Sequence, residues 1–245
     1  MLILISIFVF IATLLGGLFA LKFRDKLHLI LGFSAGAVIG VAFFDLIPEA
    51  IELGSRVYDI SFITSITALG FILYMILDRT ILFHSHSIEE ISEDKNHNVS
   101  MGRGKLGASS LSIHSFLDGM AIGLAFQVST AVGAIVTMAV LVHDFSDGIN
   151  TVNFILKNDG DKHQAFKWLI VDAIAPVLGI ISTLFFTLPE SVLGIILALF
   201  AGFFLYIGAS DLLPESHHSH PTIWTSVATI LGVIVLYFAV ILASI

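Results

Sequence analysis

The chain contains no cysteine. That excludes disulfides, thiolate metal sites and a cysteine nucleophile. Any metal must then be held by His, carboxylate, hydroxyl or amide groups, a donor set that suits divalent transition metals and disfavours Cu(I). Charge is also scarce. Only 12% of the 245 residues are charged, against 57% hydrophobic, where a soluble domain carries about 25% charged residues. The mean hydropathy is +1.00. Water is therefore not the solvent for most of this surface, and length is read in membrane spans. The net charge of −8 argues against a nucleic-acid partner. No H-E-x-x-H motif and no nucleotide-binding loop is present.

Apolar stretches separated by polar breaks run at approximately 2–21, 27–51, 60–83, 106–126, 130–156, 165–188, 190–212 and 222–244. The reading is an all-α integral membrane fold of eight transmembrane helices, forming one domain over 1–245. Residues 1–21 lack a basic n-region and an A-x-A site, so they read as a first span and not a cleaved leader. Pro189 makes Thr187–Glu190 a turn between two spans. Ten of the eleven Lys and Arg fall in the connections after helices 1, 3 and 5; Arg56 is the exception. The positive-inside rule makes that side cytoplasmic and puts both termini outside, in a multi-pass protein of the cell membrane surrounded by lipid. The one long connection, 84–105, is polar and holds His84, His86 and His97. It reads as a disordered cytoplasmic loop, either a plain linker or a weak metal-capture segment. Gly32, Gly36 and Gly40, and Gly119 and Gly123, recur at spacings of four, which suits close helix packing.

Charged groups inside spans cost about 2.5–3.5 kcal/mol each on insertion scales, so they are functional candidates. Helix 4 carries His114-Ser115-Phe-Leu-Asp118-Gly119, and helix 5 carries His143-Asp144-Phe-Ser-Asp147-Gly148. In each, His and Asp are four apart and share a helix face. His114 lies roughly 12 Å from the inner end of its helix and His143 roughly 20 Å from the outer end of its own, both near the middle of a core about 30 Å thick. Two imidazoles and two carboxylates facing each other suit a four- to six-coordinate divalent cation, with Asp144 and Ser115 able to extend the cluster to a second ion.

Two further segments match each other: Asp45-Leu-Ile-Pro48-Glu49 on helix 2 and Asp211-Leu-Leu-Pro214-Glu215 on helix 7. These helices run in opposite senses, so the segment sits once near each surface. That implies an inverted repeat, helices 1–3 versus 6–8, around helices 4 and 5. Asp45 and Glu49 then line an outer entrance. Asp211 and Glu215 line an inner exit, followed by His217, His218 and His220, and the prolines break the helices there. Asp172 lies well into helix 6 and either faces the same cavity or pairs with a neighbouring helix.

These residues resemble the ZIP (Zrt-, Irt-like protein) family of divalent metal transporters. The likeness covers the whole chain: eight spans, both ends outside and a His-bearing loop between helices 3 and 4. Family members typically show H-N-x-P-E-G on helix 4 and H-E-x-P-E/H on helix 5. The helix 7 segment Ser210-Asp211-Leu-Leu-Pro214-Glu215 is similar to the family's H-E-x-x-P-E. The resemblance implies a primary ion held by His114, Asp118, His143 and Asp147. It implies a second ion framed by Ser115, Asp118, Asp144 and Asp147, with Asp211 beside the first. The chain departs from the pattern in having Asp for Glu on both helices, Ser115 for Asn and Ser210 for His. It also has Ala175 before the helix 6 proline, where an acid is common and for which Asp172 would substitute. The implied function is transport, not catalysis. A divalent transition metal would pass into the cytoplasm by alternating access, zinc first among iron, manganese, cobalt and cadmium, as substrate and not as a cofactor. Binding should weaken at low pH, because the ligands must lose protons. The alternative is an intramembrane metal-dependent hydrolase. The sequence leaves a homodimer open.

Overall fold

In hydrocarbon every backbone N–H and C=O must find its partner within the protein, so an isolated apolar segment crosses as helix. The computed structural model describes residues 1–22, 27–87, 97–218 and 223–243, and its elements there are all helical. Among the described residues eight helices are long and apolar enough to cross a membrane. Span 1 is Leu2–Lys22. Span 2 joins Leu27–Val41 to Ile47–Gly54 through a π-helical segment, Ala42–Leu46. Span 3 is Ile60–Ser87, span 4 His97–Val128 and span 5 Thr130–Lys157. Span 6, Lys162–Ser182, ends in a 3₁₀ turn, Thr183–Phe185. Span 7 joins Glu190–Tyr206 to Leu213–His218 through a second π-helical segment, Ile207–Leu212. Span 8 is Ile223–Ala243.

The span starts have local causes. Ser129 caps span 5 by accepting from the Val132 N–H at 3.1 Å. Asp161 and Gln164 form a reciprocal capping box at the start of span 6. Pro189 stands just before span 7 as the expected break. Two expectations need amendment. Pro48 and Pro214 do not break their helices, which run on to Gly54 and His218. A proline ring clashes with the carbonyl four residues earlier, here that of Phe44 or Ser210. Both carbonyls lie inside the π-helical segments, whose wider turn makes room for the ring. The stretch 84–105 is also helical at both ends, to Ser87 and from His97. Residues 88–96 and the side chains of His84, His86 and His97 lie outside the described residues.

Spans 1, 4, 5 and 6 pack on one another, and so do spans 2, 3, 7 and 8; contacts between these two bundles run chiefly from span 2 to span 5. Four of the main pairings are closed by two facing glycines; spans 4 and 5 are not. Gly16 meets span 5 and Gly148 meets span 1; Gly119 and Gly179 join spans 4 and 6. Gly36 and Gly232 join spans 2 and 8, and Gly70 and Gly202 join spans 3 and 7. At all eight positions a Cβ would overlap the partner's backbone carbonyl, so these helices lie as close as backbones allow. Arg56, after span 2, pairs with Glu190 at the start of span 7. Gln127, near the end of span 4, donates to the carbonyls of Thr183 (3.1 Å) and Phe186 (2.9 Å) beyond span 6. These links gather the connections 2–3, 4–5 and 6–7 on one face, the alternation that the Lys and Arg positions imply. Span 5 is the most enclosed, with 72% of its spanning window buried against 17% for spans 3 and 8.

Candidate metal centre

The helical spacing of four puts His114 and Asp118 on one face of span 4, and His143 and Asp147 on one face of span 5. The two faces meet. Asp118 Oδ2 lies 3.1 Å from His114 Nε2 and 3.1 Å from His143 Nε2, and Asp147 Oδ2 lies 3.4 Å from His114 Nε2. One donor atom from each of the four residues falls within 4.8 Å of all the others, and all four residues are buried. An ion at the usual ligand distance of about 2.0–2.2 Å holds its ligands roughly 3–4.5 Å apart. The cluster is already near that size.

The hydrogen bonding favours a cation. His143 Nδ1 donates to the Ala139 carbonyl one turn back, at 2.9 Å. That bond puts a proton on Nδ1 and turns Nε2, the other ring nitrogen, towards Asp118 Oδ2 at 3.1 Å, where it could ligate an ion. Asp144, fully buried, has Oδ1 4.0 Å from His143 Nε2. Among the described residues the buried side-chain atoms without a hydrogen bond are Asp45 Oδ2, His114 Nε2, both Asp144 oxygens and Asp147 Oδ2. All but the first belong to this centre. A buried unsatisfied group costs about 1–3 kcal/mol, and more when charged. A cation among the four would satisfy His114 Nε2 and Asp147 Oδ2 at once, and the His/Asp set suits Zn(II) and its divalent neighbours.

The other expected residues divide. Ser115 and Asp172 come together: Ser115 Oγ donates to Asp172 Oδ1 at 2.9 Å, and Thr151 Oγ1 donates to Oδ2 at 2.8 Å. Of the two readings of Asp172, the structure displays pairing with neighbouring helices. Asp45 is buried within the first π-helical segment, and Glu49 is half-buried one turn on. Asp211 lies on the second π-helical segment and Glu215, His217 and His218 on the helix after it. The side chains of these four, and the whole of His220, lie outside the described residues.

Sequence reasoning missed several neighbours. Tyr74 of span 3 stands edge-to-face with His114, ring centroids 5.7 Å apart, and Phe204 of span 7 does the same to His143 at 5.7 Å. The Tyr206 hydroxyl donates to Asp78 at 2.9 Å. Ser34 of span 2 donates to the Val142 carbonyl at 3.0 Å and lies 3.0 Å from Ser146 Oγ. Thr151 could have been found, since it sits four residues after Asp147 on the same face. The aromatic run Phe200–Tyr206 was a second visible signal, though nothing in it says which ring reaches a histidine.

Eight apolar helices enclosing a buried His/Asp centre define a multi-span membrane protein with a metal-type site at its heart. The family model described as ZIP Zinc transporter matches residues 1–108 and 103–240, and the chain belongs to that family. It is similar to zinc transporter ZupT of Streptococcus mutans, 27% identical over 228 residues that cover 84% of this chain and 86% of that protein. It is also similar to zinc transporter ZIP9-A of Xenopus laevis, 26% identical over 244 residues, covering 80% and 78%. Zinc transporter zipt-7.1 of Caenorhabditis briggsae is 29% identical over 107 residues, or 42% of this chain. The match spans about a quarter of that longer relative, 27% of its length.

Proposed function

We propose that the protein carries a divalent transition metal, zinc foremost and also iron, manganese, cobalt or cadmium, across the cell membrane into the cytoplasm. The observation that carries this reading is the buried convergence of His114, Asp118, His143 and Asp147 within 4.8 Å, with orphaned oxygens beside it. These four are the ligands. Asp144, whose oxygens have no hydrogen-bond donor, adds a fifth contact, the third from a carboxylate, or bridges to a second ion with Ser115. Membership of a family described as zinc transporters supports transport over metal-dependent hydrolysis.

Asp45 and Glu49 line the entrance, and Asp211 and Glu215 the exit. An inverted repeat of spans 1–3 and 6–8 is supported by the pairing of helices. Span 1 packs on span 5 as span 6 packs on span 4, and span 2 packs on span 8 as span 7 packs on span 3. Both π-helical segments precede their proline by one residue. Access alternates when the ligand-bearing bundle, spans 1, 4, 5 and 6, shifts against the other. The Lys and Arg distribution favours both termini outside, and a homodimer fits the lipid-facing flanks. Asp118→Ala and Asp147→Ala, reconstituted in proteoliposomes at normal levels, should each abolish zinc uptake. Unchanged uptake in either would sink this reading.

A further inference from the structure

Around the centre, Asp172 differs from the other acids. Both of its oxygens are hydrogen-bonded, whereas Asp144 and Asp147 keep orphaned ones. It is the only acid in span 6, and its two donors come from the two spans that carry the ligands. Ser115 follows His114 directly on span 4, and Thr151 lies one turn beyond Asp147 on span 5. All three side chains are fully buried, with 0% exposure, so water does not compete for these bonds; the Leu111 carbonyl, 3.0 Å from Ser115 Oγ, is the other acceptor in reach of that hydroxyl. The ligand atoms of spans 4 and 5 stand 3.1–3.4 Å apart across the helix pair. A slip of about 1 Å in their register would spoil a coordination shell whose bond lengths are fixed to roughly 0.2 Å.

We propose that Asp172 is a positioning residue: its carboxylate clasps Ser115 and Thr151 and sets the register at which the four ligands meet, without itself binding the ion. This rests on the metal-site reading above. The clasp ties span 6 to spans 4 and 5, so the ligand-bearing bundle keeps its geometry while it moves. Its carboxylate works through hydroxyls on the two helices that carry the ligands; groups bonded directly to metal ligands cost about 10–100-fold in affinity when lost, and the low end of that range is the scale expected here.

The test is Co(II) binding to the purified full chain, followed by the visible spectrum of the bound ion, with zinc uptake alongside. Thr151→Val removes one of the two donors with little change in volume and touches no residue proposed as a ligand. It should weaken Co(II) binding about tenfold or more and raise the uptake KM, as should Asp172→Ala. Combining them should add nothing, because they break one clasp. Asp172→Asn keeps an oxygen and can still bond both hydroxyls. It should recover affinity to within about threefold, with the wild-type Co(II) spectrum. A spectrum shifted in Asp172→Asn, with affinity as poor as in Asp172→Ala, would make Asp172 a ligand and overturn the proposal. Unchanged affinity in Thr151→Val would overturn it equally. If instead Asp118→Ala and Asp147→Ala bind Co(II) normally, the metal-site reading is what fails.

Discussion

The bundle movement can be tested at one pair of serines. Ser34 on span 2 and Ser146 on span 5 belong to different bundles, and their Oγ atoms lie 3.0 Å apart. Ser34 also donates to the carbonyl of Val142, beside His143, at 3.0 Å. Two hydroxyls at hydrogen-bond distance bring their Cβ atoms close to the separation of about 3.5–4.5 Å that a disulfide needs. The chain has no cysteine of its own, so Ser34→Cys/Ser146→Cys introduces a single oxidisable pair. Oxidation should drop zinc uptake to background, and reduction should restore it. Metal affinity in detergent should stay within about threefold of the reduced form, since no ligand is touched. Removing the link should act the other way. Ser34→Ala loses two hydrogen bonds between the bundles, each worth about 0.5–1.5 kcal/mol net. The upper total of about 3 kcal/mol sets a ceiling near 140-fold on any acceleration, at about 1.4 kcal/mol per factor of ten. A fully cross-linked protein, shown by mass, that carries zinc as fast as its reduced form would refute the reasoning.

Three further outcomes are expected. Gly119→Val drives a Cβ into the Pro176 carbonyl, so spans 4 and 6 must separate at a cost of about 1–3 kcal/mol; an unchanged melting temperature in detergent would contradict the packing. Phe204→Ala removes a fully buried ring beside His143 and should cost about 3–5 kcal/mol, with Phe204→Leu recovering most of it in the same melt. Glu190→Gln should change stability by no more than about 1 kcal/mol, because its ion pair with Arg56 is exposed; a larger loss would mean that this link holds the connections in place.

Much of this protein was fixed by composition and spacing alone. Eight spans follow from hydrocarbon thickness, and their ends from Ser129, Asp161 and Pro189, because helix length and capping are local physics. The four residues of the centre were legible because a charge in hydrocarbon is costly and a spacing of four defines one helix face. Local rules could not say which faces meet. That Asp118 stands between two histidines, and that His143 turns Nε2 inward, depends on how closely span 4 lies against span 5. The fate of Pro48 and Pro214 was equally out of reach, since a proline signals a break unless a wider turn absorbs it. Asp172 is the sharpest case. The sequence offered a cavity-facing acid or a paired one, and only the approach of spans 4 and 5 to span 6, with Gly119 and Gly179 in backbone contact, decided that two hydroxyls would reach it.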